Sequence, residues 1–304
     1  MGEKTKYSYK MNQNAQNDKC KGSFIFNIDT CRGCTNKCDS CYPERNAMRK
    51  LFDIPVKVTQ YYGKRQDQKG AWYRIGNSGD PATFWKHAEE LVKKQQYKRF
   101  FCVTKLQTLK GYSGFFDKLQ VSVDPLNKKH FKKTLANVLT ILKKYPHVKI
   151  MLRIRSISTT DKKLIALMES AVEFANTHNL PVMETRMRFN SNARYDKYSL
   201  IRENYKWRNG YIRPHDGLRF ITGANKYYDC DLNGGKCKNC SNCTLPWTNK
   251  QFNKKGEFIA NEFEVVGIHK GKEYTFKTFK TKKGANNFIK NHCDETLFIS
   301  GDAA

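Results

Sequence analysis

Acidic residues are scarce in this chain. Against 56 Lys and Arg stand only 28 Asp and Glu, which leaves a formal charge of +28 at pH 7 over 304 residues. A surface so short of carboxylate attracts polyanions. Long apolar runs are missing too. No stretch approaches the roughly 20 residues that cross a bilayer as a helix, so no membrane partner is expected. The first residues, Met1 to Lys6, carry no apolar signal core, and the expected location is cytoplasmic. Lys6 stands where an N-myristoylation motif wants Ser or Thr, which argues against a lipid on Gly2. No long-period repeat is present, so the chain does not read as a solenoid. With 39% hydrophobic residues it can build a core. Its length fits one large domain, or one domain with a small appendage.

Cysteine, by contrast, is plentiful. There are 11, and eight fall in two tight groups. In a chain without a leader this points to metal or redox use rather than disulfides. The first group is Cys31, Cys34, Cys38 and Cys41, whose last three form a C-x3-C-x2-C array. Three thiolates on one short loop can hold three irons of a four-iron cluster and leave the fourth open to a ligand. A closed four-cysteine site only carries electrons or holds a fold. Structural zinc usually takes two Cys pairs about 12 or more residues apart. Here three residues separate Cys34 from Cys38, which is cramped for one tetrahedral site. Cys31 is either a fourth ligand, closing the site, or a spare thiol. The second group is Cys230-x6-Cys237-x2-Cys240-x2-Cys243, with Gly234 and Gly235 in the long spacer. It is a strong metal signal that leaves zinc and iron–sulfur both open.

Residues 1–22 are rich in Lys, Asn and Gln and read as a flexible basic arm. Apolar β-type runs then alternate with helical patterns. Strands are expected at Ser23 to Ile28, Trp72 to Ile75, Arg99 to Thr104, Leu119 to Val123, Val148 to Ile154 and Val182 to Phe189. Helices are expected at Phe84 to Gln96, His130 to Lys144 and Thr160 to His178, the last opened by Thr159, Thr160 and Asp161 as cap candidates. About six strands alternating with helices make an α/β chain of parallel βα units, a partial (βα)6 TIM-like barrel over residues 23–190. Residues 191–250 form an aromatic and basic region that holds the second cysteine cluster. Residues 251–304 read as a small basic ββα tail, with strands at Phe258 to His269 and Gly271 to Phe279 and a helix from Lys283 to His292.

Ligands of parallel α/β folds sit at the C-terminal ends of strands. The cysteine loop follows the first strand and so lies on that face. The Gly-rich turn Gly76, Asn77, Ser78, Gly79, Asp80 follows the second, where it either lets backbone approach a ligand or simply caps the next helix through Asp80. Lys105 follows the third strand, Ser122 and Asp124 end the fourth, and Arg153 and Arg155 sit in the fifth. Glu184, Arg186 and Arg188 alternate on the sixth and share one face. Parallel strands are normally apolar on both faces, so these charges line a polar cavity or face solvent. An arginine there suits a carboxylate or phosphate. Tyr195, Tyr198, Tyr205, Trp207, Tyr211, Tyr227 and Tyr228 either stack on bases or belong to the core. Lys270, Lys272, Lys277, Lys280, Lys282 and Lys283 either contact nucleic-acid phosphates or form a solvated face.

The Cys34, Cys38, Cys41 array after a first strand resembles the radical S-adenosylmethionine (SAM) superfamily, and residues about 23–190 look like its core. Four features look like a diverged phage- or mobile-element-type branch. Tyr42 follows Cys41, Ser78-Gly79-Asp80 follows strand two, Phe101 to Lys105 ends in Thr-Lys, and Cys237, Cys240 and Cys243 lie downstream. The resemblance implies a 4Fe-4S cluster on Cys34, Cys38 and Cys41 with SAM chelated at its open iron. It implies reductive cleavage of SAM to methionine and a 5′-deoxyadenosyl radical, which takes hydrogen from a substrate. It places Gly76, Asn77, Ser78, Gly79 and Asp80 at the turn that meets the methionyl amine, with Ser78 and Asp80 as acceptors. That turn departs from the family's usual Gly-Gly-Glu form. An electron donor such as flavodoxin or ferredoxin is implied, and the host cytoplasm if the chain is phage-encoded. The charge favours a nucleic-acid substrate, with a modified base, a peptide and a small metabolite all open. The rival reading is a non-enzymatic, zinc-stabilised nucleic-acid-binding protein.

Overall fold

A computed structural model of the chain describes residues 9–12, 25–36, 38, 55–62, 72–76, 79–95, 99–189, 191–208, 211–215, 218–230, 263–269, 272–279 and 297–300. In chain order the elements are β1 (Tyr9–Asn12), β2 (Ile25–Ile28), β3 (Cys31–Arg32), β4 (Val56–Tyr62), β5 (Trp72–Ile75), α1 (Trp85–Gln95), β6 (Phe100–Thr104), β7 (Lys118–Val123), α2 (Lys128–Lys144), β8 (Lys149–Ser156), α3 (Lys162–Thr177), β9 (Val182–Arg186), α4 (Ala193–Lys197), β10 (Tyr205–Arg208), β11 (Tyr211–Pro214), β12 (Tyr227–Asp229), β13 (Phe263–His269), β14 (Lys272–Phe279) and β15 (Leu297–Ser300).

The chain is an α/β protein with a central sheet of seven strands in the order β12-β9-β8-β7-β6-β5-β2. The pairs β5–β6, β6–β7, β8–β9 and β9–β12 are parallel. Five of the expected strands recur within two residues at each end, and β9 stops at Arg186, short of the expected Phe189. β12 is a seventh strand inside the stretch read as an aromatic region, and its three residues are too short to show a period. The alternation is also less regular than expected. Residues 105–117 join β6 to β7 without a helix.

Two compact units divide the chain: Met1–Ala15 with Asn27–Gln66 and Tyr73–Lys149, and Gln16–Phe26 with Asp67–Trp72 and Ile150–Ala304. In the first, α1 follows a short 3-10 turn, Pro81–Phe84, that starts with Pro at its first position. Trp85, Ala88, Leu91 and Val92 form its buried stripe. Asn127 caps α2 by accepting from the His130 N–H, and Phe131, Thr134, Val138 and Ile141 are its buried face. The helix stops at Tyr145 because Pro146 disfavours helical backbone in the residue before it. A three-stranded sheet, β1-β4-β3, lies in the same unit, and its β1 arises within the polar stretch 1–22.

In the second unit Asp161 caps α3, accepting from Lys163 and Leu164 N–H. The helix ends on Asn179 at φ 53°, with Leu180 N–H bonded to Ala175 C=O and Asn179 N–H to Asn176 C=O. This is a Schellman closure with Asn in the left-handed position that glycine usually takes. β10 and β11 form an antiparallel hairpin. The tail forms an antiparallel sheet, β14-β13-β15, whose third strand, Leu297–Ser300, adds to the two expected there. The expected helix Lys283 to His292 lies outside the described residues. Tyr195, Tyr198, Tyr205, Tyr227 and Tyr228 are buried, so they serve the core, while Trp207 is exposed.

Candidate metal and cofactor site

The first unit brings the cysteine loop against the Gly-rich turn. β2 ends at Ile28, whose carbonyl accepts from Gly76 N–H at 3.1 Å. β3 carries Cys31 and Arg32 against Lys57 and Val56 of β4. Gly33 then forms a parallel bridge with Gly79. One glycine makes this approach possible, and a second lets the turn close on β6. A Cβ on Gly79 would lie 2.5 Å from the Cys31 carbonyl oxygen and 2.8 Å from its Sγ. A Cβ on Gly76, at φ +91°, would lie 2.4 Å from the Val103 carbonyl oxygen. Both positions exclude any side chain.

Asp80 fastens the arrangement and is 6% exposed. Its Oδ1 accepts from Ala82 N–H at 3.0 Å and from the Thr104 hydroxyl at 2.6 Å. Its Oδ2 accepts from Asn36 Nδ2 at 3.1 Å and from Lys105 N–H at 2.9 Å. Four donors fill the roughly four acceptor sites of a carboxylate. Asn36 lies between Cys34 and Cys38, so one buried carboxylate ties the cysteine loop to the turn after β5 and to the end of β6. Asn127 adds a second tie, donating Nδ2 to the Asn36 carbonyl at 3.3 Å. The Lys105 ammonium pairs with Asp124 at 2.7 Å, both largely buried, at the C-terminal ends of β6 and β7.

Cys31 is buried, and its thiol donates to the Asp80 carbonyl at 3.2 Å. Burial, then the Asp80 and Asp29 charges, push this thiol well above its ordinary range, which keeps it protonated at neutral pH. Cys34 is half-buried and Cys38 buried. Cys41, Asn77 and Ser78 lie outside the described residues, as do Cys237, Cys240 and Cys243. Among the described residues no three His, Cys, Asp or Glu side chains gather as a metal site. Cys34 and Cys38 nevertheless supply the soft sulfur donors that an iron–sulfur cluster takes; Cys31 is bonded outside the loop, to Asp80, whereas the Cys38 thiol donates within it, to the Asn36 carbonyl at 3.9 Å.

The second unit holds a different polar group. Glu184 is fully buried and accepts from the Ser156 hydroxyl at 2.6 Å, from Phe220 N–H at 2.9 Å and from the Tyr227 hydroxyl. Burial raises its carboxyl above the ordinary range, against the pull of these donors. Arg186 is buried in an ion pair with Asp229, and Arg153 Nε donates to Thr185 at 2.9 Å. Arg155 and Arg188 are half-buried, and Ser122 is buried. The Glu184 carbonyl accepts from Cys230 N–H at 3.0 Å, which fixes where the second cysteine group begins. Glu184 and Arg186 on β9 are therefore each engaged by groups of the protein itself. Asn36, Ser156 and Asp229, which help complete both networks, carry no sequence signal of their own beyond the position of Asn36 inside the cysteine array; Thr104 stood out only in the Thr-Lys ending of strand three and Tyr227 only among the tyrosines read as stacking or core. Comparison with protein-family models, with curated proteins and with solved structures finds no match for this chain.

Proposed function

We propose that the chain is a radical SAM enzyme, with a 4Fe-4S cluster held by Cys34, Cys38 and Cys41 and SAM seated beside the turn 76–80. The observation that carries this reading is the union of the three-cysteine loop with the Gly-rich turn of the next parallel strand through Gly33–Gly79 and Asp80. Strands β2, β5, β6, β7, β8 and β9 lie in sequence order across the sheet, as a partial barrel requires. When bound, the reduced cluster supplies the electron that cleaves SAM. The chain's residues do the rest. Cys31 keeps its thiol proton in a hydrogen bond to the Asp80 carbonyl and leaves three cysteines for the metal. Gly79 keeps a side chain out of the space between loop and turn, and Gly76 keeps one out of the space between the turn and β6. Asp80, its oxygens occupied, holds the turn in place, so that contact with the methionyl amine falls to turn backbone and Ser78. Cys230, Cys237, Cys240 and Cys243 are assigned a second metal, zinc or iron–sulfur. The substrate class is nucleic acid, and the electron donor a flavodoxin or ferredoxin.

The test is anaerobic purification with iron, sulfide and zinc analysis, an absorption spectrum before and after dithionite, and a SAM-cleavage assay. About four irons, or about eight if both sites carry clusters, with a band that bleaches on reduction, is the expected result. Release of 5′-deoxyadenosine that disappears in Cys38→Ala completes it. Zinc in both sites with no visible band replaces this reading with a zinc-stabilised nucleic-acid-binding protein.

A further inference from the structure

We propose that the exposed lysine face of α2 binds the phosphate backbone of a nucleic acid. This rests on the nucleic-acid substrate class above and not on the cluster. Lys128, Lys129, Lys132, Lys133, Lys143 and Lys144 are all exposed, and residues 128–144 contain no Asp or Glu. At 100° per residue the six fall within about 160° of the helix circumference, opposite the buried face. At 1.5 Å per residue they span about 24 Å of axis. Among the described residues none of the six pairs with a carboxylate, and Lys144 instead lies over the Tyr145 ring at 5.4 Å. The nearest acid in sequence, Asp124, is committed to Lys105. Lysine in the first turn also works against the helix dipole, at a small cost to the fold. A run of cation with no compensating acid, begun where it costs stability although Lys143 and Lys144 suit the helix end, fits a role outside folding.

The field is felt locally. Burial first, then Lys105, Lys129 and Lys133, hold the His130 imidazole below its ordinary range. The face fits a polyanion better than a protein. Protein interfaces centre on aromatic or aliphatic anchors, and the only large hydrophobic exposed among the described residues is Trp207, which is not on this helix. Between the two lysine groups the face shows the exposed Ala136 and Thr140 and the half-buried Leu139. Point charges on flexible stems, without anchors, make the sequence-independent contacts that position a phosphate backbone. The four-lysine end is also the relevant end. Asn127, next to Lys128, is the residue that bonds to Asn36 of the cysteine loop. A strand held by these lysines is brought beside that loop.

The test is fluorescence anisotropy of the full chain with a labelled single-stranded oligonucleotide of mixed sequence, titrated across a salt series. The variant carries Lys128→Ala, Lys129→Ala, Lys132→Ala and Lys133→Ala. Each lost phosphate contact removes about 0.7 from the slope of log K against log salt, so the slope falls by about 3. The corresponding Lys→Arg variant keeps the charge and keeps the slope. A second variant neutralising Lys270, Lys272, Lys277, Lys280, Lys282 and Lys283 locates any competing surface. An unchanged slope in the α2 variant, with the loss in the tail variant, overturns the assignment. So does absence of binding by the unmodified chain at low salt, or capture by α2 of an acidic protein in place of the oligonucleotide. If the alanine variant does not fold, Lys132→Gln and Lys133→Gln alone should lower the slope by about 1.4. Iron content and SAM cleavage judge the cluster separately, so either reading can fail alone.

Discussion

Replacing Asp80 with Ala removes the acceptor of four hydrogen bonds at once. Two of the donors are backbone N–H groups, Ala82 and Lys105, which cannot turn away. The other two, the Thr104 hydroxyl and the Asn36 amide, can rotate. A buried donor left without a partner costs about 1–3 kcal/mol. Taking about 2 kcal/mol for each fixed donor gives about 4 kcal/mol for Asp80→Ala, part of which is the lost helix cap. That is a large share of a total stability of about 5–15 kcal/mol. At about 2 °C per kcal/mol for a chain of this size, Tm falls by about 8 °C. Asp80→Asn should cost about half as much, since its one carbonyl oxygen still serves two donors while its NH2 faces the other two. Urea unfolding read by circular dichroism gives the free energies, and iron content after reconstitution tells whether the cysteine loop keeps its place. Asp80→Ala is expected to lose iron as well as stability. If Asp80→Ala unfolds within about 0.5 kcal/mol of the native chain, as a surface change would, the clasp assignment is wrong.

Four further outcomes are expected. Gly79→Ala puts a methyl group on the Cys31 carbonyl and should destabilise more than Gly111→Ala, which has only its left-handed backbone (φ +82°) to oppose it because its added Cβ has 3.7 Å to its nearest neighbour; a smaller loss at Gly79 than at Gly111 would refute the close-approach argument. Cys31→Ser should keep the iron load while Cys34→Ser loses it, as iron analysis would show; iron loss in both makes Cys31 a ligand. Breaking the largely buried Lys105–Asp124 pair by Lys105→Met should cost about 3–5 kcal/mol by leaving Asp124 uncompensated, measured in urea, with Asp124→Asn in the same background recovering part of it. Burial raises the Glu184 carboxyl, so the folded state holds this proton more tightly than the unfolded state. Its contribution to stability is therefore present at acid pH and lost as pH rises from the ordinary carboxylate value of about 4.3. Glu184→Gln should flatten that part of the stability–pH curve, and an unaltered curve would rule the group out.

Periodicity and composition determined much of this protein. The buried stripes of α1, α2 and α3 follow from apolar spacing, and six of the seven strands of the central sheet stand out as short β-branched or aromatic runs. The Asp161 cap was visible because short polar side chains before an apolar run signal a helix start. The cysteine array and the Gly-rich turn were legible because their chemistry depends on local spacing. Tertiary structure decided what those residues are paired with. Whether Asp80 meets a ligand or four protein donors depends on Asn36, Thr104 and Lys105, which lie 24 to 44 residues away in sequence or arrive from another strand. The charges on β9 looked like a cavity lining because local sequence reveals alternation but not the partner strand; Ser156, Tyr227 and Asp229 satisfy two of them. β12 was invisible for the same reason: three residues have no period, and their strand exists only because β9 offers a free edge to pair with. Local spacing fixes which face a residue occupies, while the fold alone fixes what stands opposite it.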